Sequence, residues 1–148
     1  MKPVFDITLR WYDDSSFLED DPERQIELLL DSIGITSDVA VDIFHVLVVA
    51  RAEDRALTAR QIRDAVVNLR EMQGLKNPEK GLTMRNIQVW LKNFKKIKLI
   101  DRIGGMYRFK GNKKPSKAFA DETKPLIVES TKYVEKLLKE IEESYKIK

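Results

Sequence analysis

The chain has 148 residues, no cysteine and a formal net charge of +3, which suits one well-buried domain with an appendage. Without cysteine there can be no disulfide, thiolate metal site or cysteine nucleophile, and the composition fits a reducing cytosol. Because no apolar run reaches about eighteen residues and no signal-peptide pattern is present, we expect a soluble, cytoplasmic protein.

Charge is distributed unevenly along the chain. Residues 1–34 contain nine acidic and three basic residues, whereas residues 83–117 contain eleven basic residues and one acid, Asp101. A local excess of this size favours a polyanionic partner, and a solvated basic face is the simpler alternative. The usage of Lys, Glu and Ile is thermophile-like.

Residues 1–35 are predicted to form a strand and an amphipathic helix. Apolar and polar residues alternate from Phe5 to Trp11, as in a strand with one wet face, which would pair with the hairpin described below or with a second copy. Asp21 before Pro22 predicts a helix start, and Gly34 can end that helix in the left-handed region. The carboxylates between the strand and this helix do not have the spacing of a calcium-binding loop. Helix capping and solubility explain these carboxylates, and no metal is expected.

Residues 36–111 are predicted to form the main domain, beginning with a helix from Ser37 to about Ala52. This helix is apolar nearly all round and should be central. It carries the only histidine, His45, which we interpret as a core or boundary residue because no second histidine or cysteine accompanies it. Ala56 and Leu57 then form a short strand in this reading.

A capping box formed by Thr58 and Gln61 starts the next helix, which is predicted to end near Met72. About ten residues, 71–82, follow before the next helical pattern, and their glycines and proline exclude one continuous helix. Either a short turn forms near Asn77, or this loop approaches the ligand.

The stretch from Leu82 to Lys110 predicts a helix of about 83–97 followed at once by a hairpin of 99–110. Thr83 is a credible N-cap, and apolar residues at helical spacing define a buried side opposite a cationic side. Gly104 and Gly105 supply the positive φ angles of a tight hairpin turn. The order of helix, Arg-bearing strand, glycine turn and Met-Tyr-Arg-Phe resembles the recognition helix and wing of the winged-helix (winged helix-turn-helix) DNA-binding superfamily, of the archaeal or bacterial transcription-regulator type.

That resemblance covers roughly Ser37 to Lys110 and implies a mainly α fold with a small β-hairpin wing (α+β). We expect the N-terminal strand and helix to precede this domain and a C-terminal dimerisation helix to follow it. It also implies sequence-specific binding of double-stranded DNA, with the helix in the major groove and the wing on the backbone or minor groove. The residues expected at base edges are Arg85, Asn86, Gln88, Val89 and Lys92. Those expected at phosphates are Arg60, Thr83, Lys95, Lys96, Arg102, Arg108 and Lys110.

The end of the chain is predicted to contain a mobile basic linker, residues 112–122, and a helix over residues 123–148 that begins at Thr123 and Pro125 and ends near Tyr145. A helix of this length exceeds what a small domain needs to cover, so we expect a homodimer, with packing on its own domain as the alternative. The apolar residues expected at the dimer contact are Ile127, Val134, Leu138, Ile141 and Tyr145.

No catalytic triad, phosphate-binding glycine loop or dinucleotide fingerprint is present, so neither enzyme activity nor a cofactor is expected. The alternative to a DNA-binding regulator is a winged-helix interaction subunit of a replication, transcription or chromosome complex. Such a subunit would bind nucleic acid weakly and without sequence preference, and would use Val89, Trp90 and the N-terminal segment for protein contacts. Structured RNA is a third option, disfavoured because the aromatic residues have core periodicity.

Overall fold

Six helices and three short strands make up the chain in the structure, a computed structural model that describes residues 1–148. The helices are α1 (Pro22–Ser32), α2 (Asp38–Ala52), α3 (Ala59–Met72), α4 (Met84–Lys96), α5 (Pro115–Ala118) and α6 (Lys124–Ser144). The strands are β1 (Leu57–Thr58), β2 (Ile100–Ile103) and β3 (Met106–Phe109). Turns of 3-10 helix span Asp14–Leu18 and Lys110–Asn112, and a π-helical turn, Phe119–Thr123, joins α5 to α6.

The helices begin where side chains can satisfy their free N–H groups. The Asp21 carboxylate accepts from Glu23 N at 3.1 Å, with Pro22 in the first turn of α1. Thr58 and Gln61 form the reciprocal capping box of α3. These predicted helix starts are therefore confirmed, as is the end of α1, where Gly34 has φ +81°.

The three strands form one antiparallel sheet in the order β1-β3-β2. Ile100 pairs with Phe109 and Ile103 with Met106, so the hairpin closes through Gly104 and Gly105. Both glycines have positive φ, +58° and +78°, as the turn prediction requires. Leu57–Thr58 adds the predicted short strand to β3, one residue later than expected.

A single cluster of 20 buried apolar residues joins helices and sheet. The central helix α2 contributes six of these residues, more than any other element, as its predicted central place requires. The centre of the Phe44 ring lies 5.8 Å from that of Phe94 and 5.5 Å from that of Phe109. Leu30 of α1 and Ala118 of α5 belong to the same cluster. The fold is therefore mainly helical with a small antiparallel sheet, an α+β architecture.

The predicted N-terminal strand does not form. Residues 6–13 have no regular secondary structure, and the chain from residue 1 to 12 makes one backbone–backbone hydrogen bond, from Arg10 N to Ser32 O at 2.7 Å. Burial accounts for only the first half of the alternation, because the half-buried Phe5 and Ile7 pack against the core whereas Leu9 and Trp11 are exposed. A Cβ at Gly34 would lie 2.7 Å from Thr8 Cβ, which shows how closely the segment follows the end of α1.

The two segments predicted to be irregular are also ordered. Lys80 N donates to Asn77 O at 3.1 Å and Leu82 N to Glu79 O at 3.1 Å, so the expected short turn near Asn77 forms. The segment predicted as a mobile linker is instead mostly helical, through α5 and the π turn. The π turn has a local cause, since Pro125 has no N–H to bond the turn before it.

Candidate nucleic-acid interface

Helix α4 has one buried side and one free side. Thr83 starts it, with the hydroxyl accepting from Asn86 N at 3.1 Å. Ile87, Leu91 and Phe94 are fully buried, which contributes about 5–9 kcal/mol of gross burial free energy and fixes the rotation of the helix. The opposite side is exposed along its whole length and is called here the outward stripe: Arg85, Gln88, Val89, Lys92, Lys95 and Lys96.

The outward stripe carries positive charge that no acidic side chain offsets. Helix α4 contains no acidic residue, and none of the stripe's four cations lies within 4.0 Å of a carboxylate. Lys95 and Lys96 occupy the last turn, where cations interact favourably with the helix dipole by about 0.3–1 kcal/mol. The stripe therefore presents an unpaired positive surface around a half-exposed apolar residue, Val89.

The N-terminal segment runs along one flank of α4 and leaves the stripe open. A groove of about 540 Å³ lies between the two elements and is lined by residues 3–8 on one side and by Trp90, Asn93 and Lys96 of α4 on the other. Trp90 and Asn93 are half-buried there, whereas Lys96 remains exposed. No segment of the chain covers the outward stripe.

Asn86, predicted at a base edge, lies on the flank of α4 rather than in the outward stripe. It is half-buried, and its side-chain amide donates to Gly81 O at 2.7 Å. One of its two amide N–H donors is therefore engaged by the preceding loop, so Asn86 is a weaker candidate for a base contact than the residues of the outward stripe. Thr83 is exposed, and its hydroxyl hydrogen is still available to a phosphate although its oxygen caps the helix.

The hairpin offers one free arginine, not two. Arg102 is exposed and lies with its guanidinium 5.6 Å from the centre of the Tyr107 ring, a cation–π arrangement on one face of the sheet. Arg108 is half-buried on the other face, where Nε donates to Asp101 Oδ1 at 3.1 Å. Because its cross-strand partner Asp101 offsets the charge of Arg108, Arg102 is the stronger of the two candidates for a phosphate contact.

Lys110 is neutralised too. Its Nζ lies 3.5 Å from Glu122 Oε2, and Lys113 Nζ lies 3.1 Å from Asp121 Oδ2 and 3.2 Å from Glu122 Oε1. Hydrogen bonds from Lys113 lower the pKa of both carboxyls, with help from Lys117 at Asp121, and the two carboxylates in turn raise the pKa of Lys113. Much of the positive charge of this segment is therefore paired within the chain, which leaves Lys110 a weaker candidate for a phosphate contact than the outward stripe.

Arg60 remains as a free cation beside the hairpin. It is exposed in the first turn of α3, two residues after Thr58, which pairs with Met106 at the hairpin tip. No carboxylate pairs with it. Arg60 and Arg102 therefore both belong to the region around the hairpin.

Sequence reasoning missed the clamp that holds the loop before α4. Arg70 is 5 % exposed, and its guanidinium donates to Asp42 Oδ2 at 2.8 Å, to Pro78 O at 3.2 Å and to Lys80 O at 2.6 Å. Arg63 Nε adds a bond to Leu82 O at 2.7 Å. The sequence does indicate that Arg70 is buried, because it follows Ile62 and Val66 at four-residue spacing and so lies on the buried side of α3.

The residues predicted at a dimer contact fall into two groups. Ile127 is half-buried near the base of α6, whereas the other four are exposed. Their exposed fractions are 53 % for Val134, 53 % for Leu138, 51 % for Ile141 and 78 % for Tyr145. Within one copy of the chain, these four side chains are left without a packing partner.

No protein-family model, curated protein or solved structure matches the chain. No group of three or more His, Asp or Glu side chains is arranged to hold a metal ion. None of the helices combines the length and the apolar content needed to cross a membrane. The function proposed below therefore depends on the geometry of α4 and the hairpin.

Proposed function

We propose that the protein binds double-stranded DNA as a dimeric winged-helix transcription regulator. Helix α4 is the recognition helix in the major groove, and the hairpin β2–β3 is the wing on the adjacent backbone. The observation that carries the proposal is the outward stripe of α4, which is exposed, cationic and free of acidic partners. The element order α2-β1-α3-α4-β2-β3, with β1 paired to the wing, supports it.

The major groove of B-DNA is wide enough to admit an α-helix, and its base edges carry the information that distinguishes all four base pairs. In the proposed arrangement, the first two turns of the stripe approach these edges. Arg85 can donate two bonds to guanine, Gln88 can bond adenine in the same bidentate manner, and Val89 can contact a thymine methyl group. Lys92 follows one turn later and can reach guanine.

The backbone contacts come from cations that the structure leaves unpaired. Lys95 and Lys96 lie at the end of α4, Arg102 on the wing and Arg60 at the start of α3. If each neutralises one phosphate, log affinity should fall against log salt with a slope of about −3.6 per protomer. Binding by such contacts sets the position of the protein on the duplex without reading its sequence.

The salt dependence of duplex binding tests this proposal. Fluorescence anisotropy on a labelled duplex should give the steep slope, and Lys95→Ala with Lys96→Ala should make it shallower by about 2. The matched control is Lys136→Ala with Lys139→Ala, which removes the same charge from exposed positions on α6. A flat salt dependence, or equal effects of the two pairs, would contradict the proposed surface.

The division between base and backbone contacts needs a second comparison. Sites selected from a random duplex pool should lose preference over random duplex in Arg85→Ala with Gln88→Ala, because about 1–3 kcal/mol of discrimination is expected per bidentate contact. Lys95→Ala with Lys96→Ala should weaken selected and random duplexes alike. If both pairs weaken every sequence equally, the assigned roles are wrong.

A second candidate function is supported by the N-terminal segment. Trp11, Phe17 and Leu18 are 97 %, 85 % and 81 % exposed, although Tyr12 and Arg10 hold the segment in place through Asp31 at 2.6 and 2.7 Å. Exposed aromatic and apolar residues on an ordered support are typical of a protein-binding surface. In an interaction subunit of a larger complex, duplex binding would be weak and indifferent to sequence.

A further inference from the structure

Helix α6 leaves the domain after its first turns. Leu126, Ile127 and Ser130 are the last half-buried residues, and every residue from 131 to 148 is exposed. Its 21 residues extend about 32 Å. Most of the helix therefore projects from the domain with no part of its own chain against it.

The projecting part carries a regular apolar seam. From Ile127 the spacing alternates between four and three residues along one side, which is the heptad pattern of a coiled coil and not of a helix lying on a globular core. Exposed fractions of 51–78 % for the last four apolar members show that nothing within one chain fills the seam. The seam consists of Ile127, Thr131, Val134, Leu138, Ile141 and Tyr145.

We infer that α6 pairs with α6 of a second copy in a parallel, in-register coiled coil. The inference rests on the dimer of the proposed function and adds its orientation. Glu135 and Glu142 flank the seam on one side, each directly after a seam residue, while Leu137 and Ser144 flank it on the other. In an antiparallel pair, glutamates of the two helices face each other across the seam and repel. In a parallel pair, each glutamate faces Leu137 or a serine of the other helix, so the parallel orientation is favoured.

The base of α6 is connected to the end of the recognition helix. Thr123 is fully buried, and its hydroxyl donates to Ile97 O, at the C-terminal cap of α4, at 2.7 Å. Since helical backbone continues from α5 through the π turn into α6, pairing of two α6 helices also orients two copies of α4. A symmetric pair predicts a palindromic target, with half-sites about one helical turn or a multiple of it apart.

Single introduced cysteines test the orientation, because the native chain has none. In the full-length protein under mild oxidation, Tyr145→Cys and Thr131→Cys should each form a disulfide between identical positions. These two seam positions lie 14 residues apart, about 21 Å along the helix, too far for a disulfide between unlike positions of a parallel pair. Lys139→Cys, on the outer side of the helix, is the control and should cross-link several-fold less.

A mixture of the two seam variants, with one carrying a mass tag, distinguishes the orientations. Cross-links between identical positions support the parallel pair, whereas cross-links found mainly between the unlike positions overturn it in favour of an antiparallel pair. Cross-linking no greater than that of the Lys139→Cys control also overturns the inference. None of these readouts uses DNA, so failure of duplex binding would leave the result on pairing intact.

Sedimentation velocity supplies an independent measurement. The native chain should sediment as a dimer, and Leu138→Lys should shift it to a monomer that stays folded by circular dichroism, since Leu138 is 53 % exposed within one chain. A native chain that is monomeric at tens of micromolar would refute the pairing. A monomeric Leu138→Lys variant that still binds a single half-site would show that the interface on α4 stands apart from α6.

Discussion

Replacement of Arg70 by methionine tests whether the loop before α4 is held by one buried side chain. Methionine keeps an unbranched apolar stem and carries no charge, so the change removes the ion pair to Asp42 and both bonds to loop carbonyls. Loss of one partner of a buried ion pair costs about 3–5 kcal/mol because the other charge is left unpaired. The Asp42 side chain is 17 % exposed and water can reach it, so we expect a loss near the lower end, about 3 kcal/mol.

Urea unfolding followed by far-ultraviolet circular dichroism measures this loss at neutral pH. A loss of about 3 kcal/mol corresponds to a fall in Tm of about 6–12 °C for a chain of this size. The control is Arg24→Met, since Arg24 is exposed and its carboxylate partners lie 4.0 Å away; its effect should stay within about 0.5 kcal/mol.

The double variant Arg70→Met with Asp42→Leu separates charge from packing. It should recover part of the lost stability, because it leaves no unpaired carboxylate and only the two loop carbonyls to be solvated. If Arg70→Met costs less than about 1 kcal/mol, or the double variant is less stable than the single one, the clamp does not act as described.

Three smaller predictions concern the helix cap at Thr83, the two wing arginines and the carboxylates of Asp121 and Glu122. Thr83→Ala should destabilise the protein by about 1 kcal/mol in urea unfolding because α4 loses its N-cap, whereas Thr83→Ser should not. Arg102→Ala should weaken duplex binding in the anisotropy assay, and Arg108→Ala should change stability more than affinity because Asp101 already pairs with it. The lowered pKa values of Asp121 and Glu122 mean that their pairing with lysine stabilises the fold above their unfolded pKa values and is lost as pH falls through the folded ones. As pH falls from roughly 5 to 3, the free energy of unfolding of the Asp121→Asn with Glu122→Gln variant should therefore decrease less than that of the native chain. Equal decreases would show that the pairing of these carboxylates with lysine does not stabilise the fold in this pH range.

Local rules in the sequence determined where most elements begin and what each buries. Side chains that cap a helix act within three residues of the group they satisfy, so Asp21, Thr58 and Thr83 mark helix starts without knowledge of the fold. Helical spacing identified the buried side of α4 and hence its outward stripe. The paired glycines identified the hairpin because few other residues adopt positive φ.

Tertiary structure alone decided which charges are free and what the N-terminal segment does. Arg108 and Lys110 carry the same local signal as Arg102, but strand register sets Asp101 against Arg108, and the return of the chain through α5 brings Glu122 to Lys110. Alternation from Phe5 to Trp11 predicts one buried face, yet only Phe5 and Ile7 pack against the core, and Leu9 and Trp11 are exposed. Burial and charge pairing depend on residues distant in sequence, so they are properties of the folded chain.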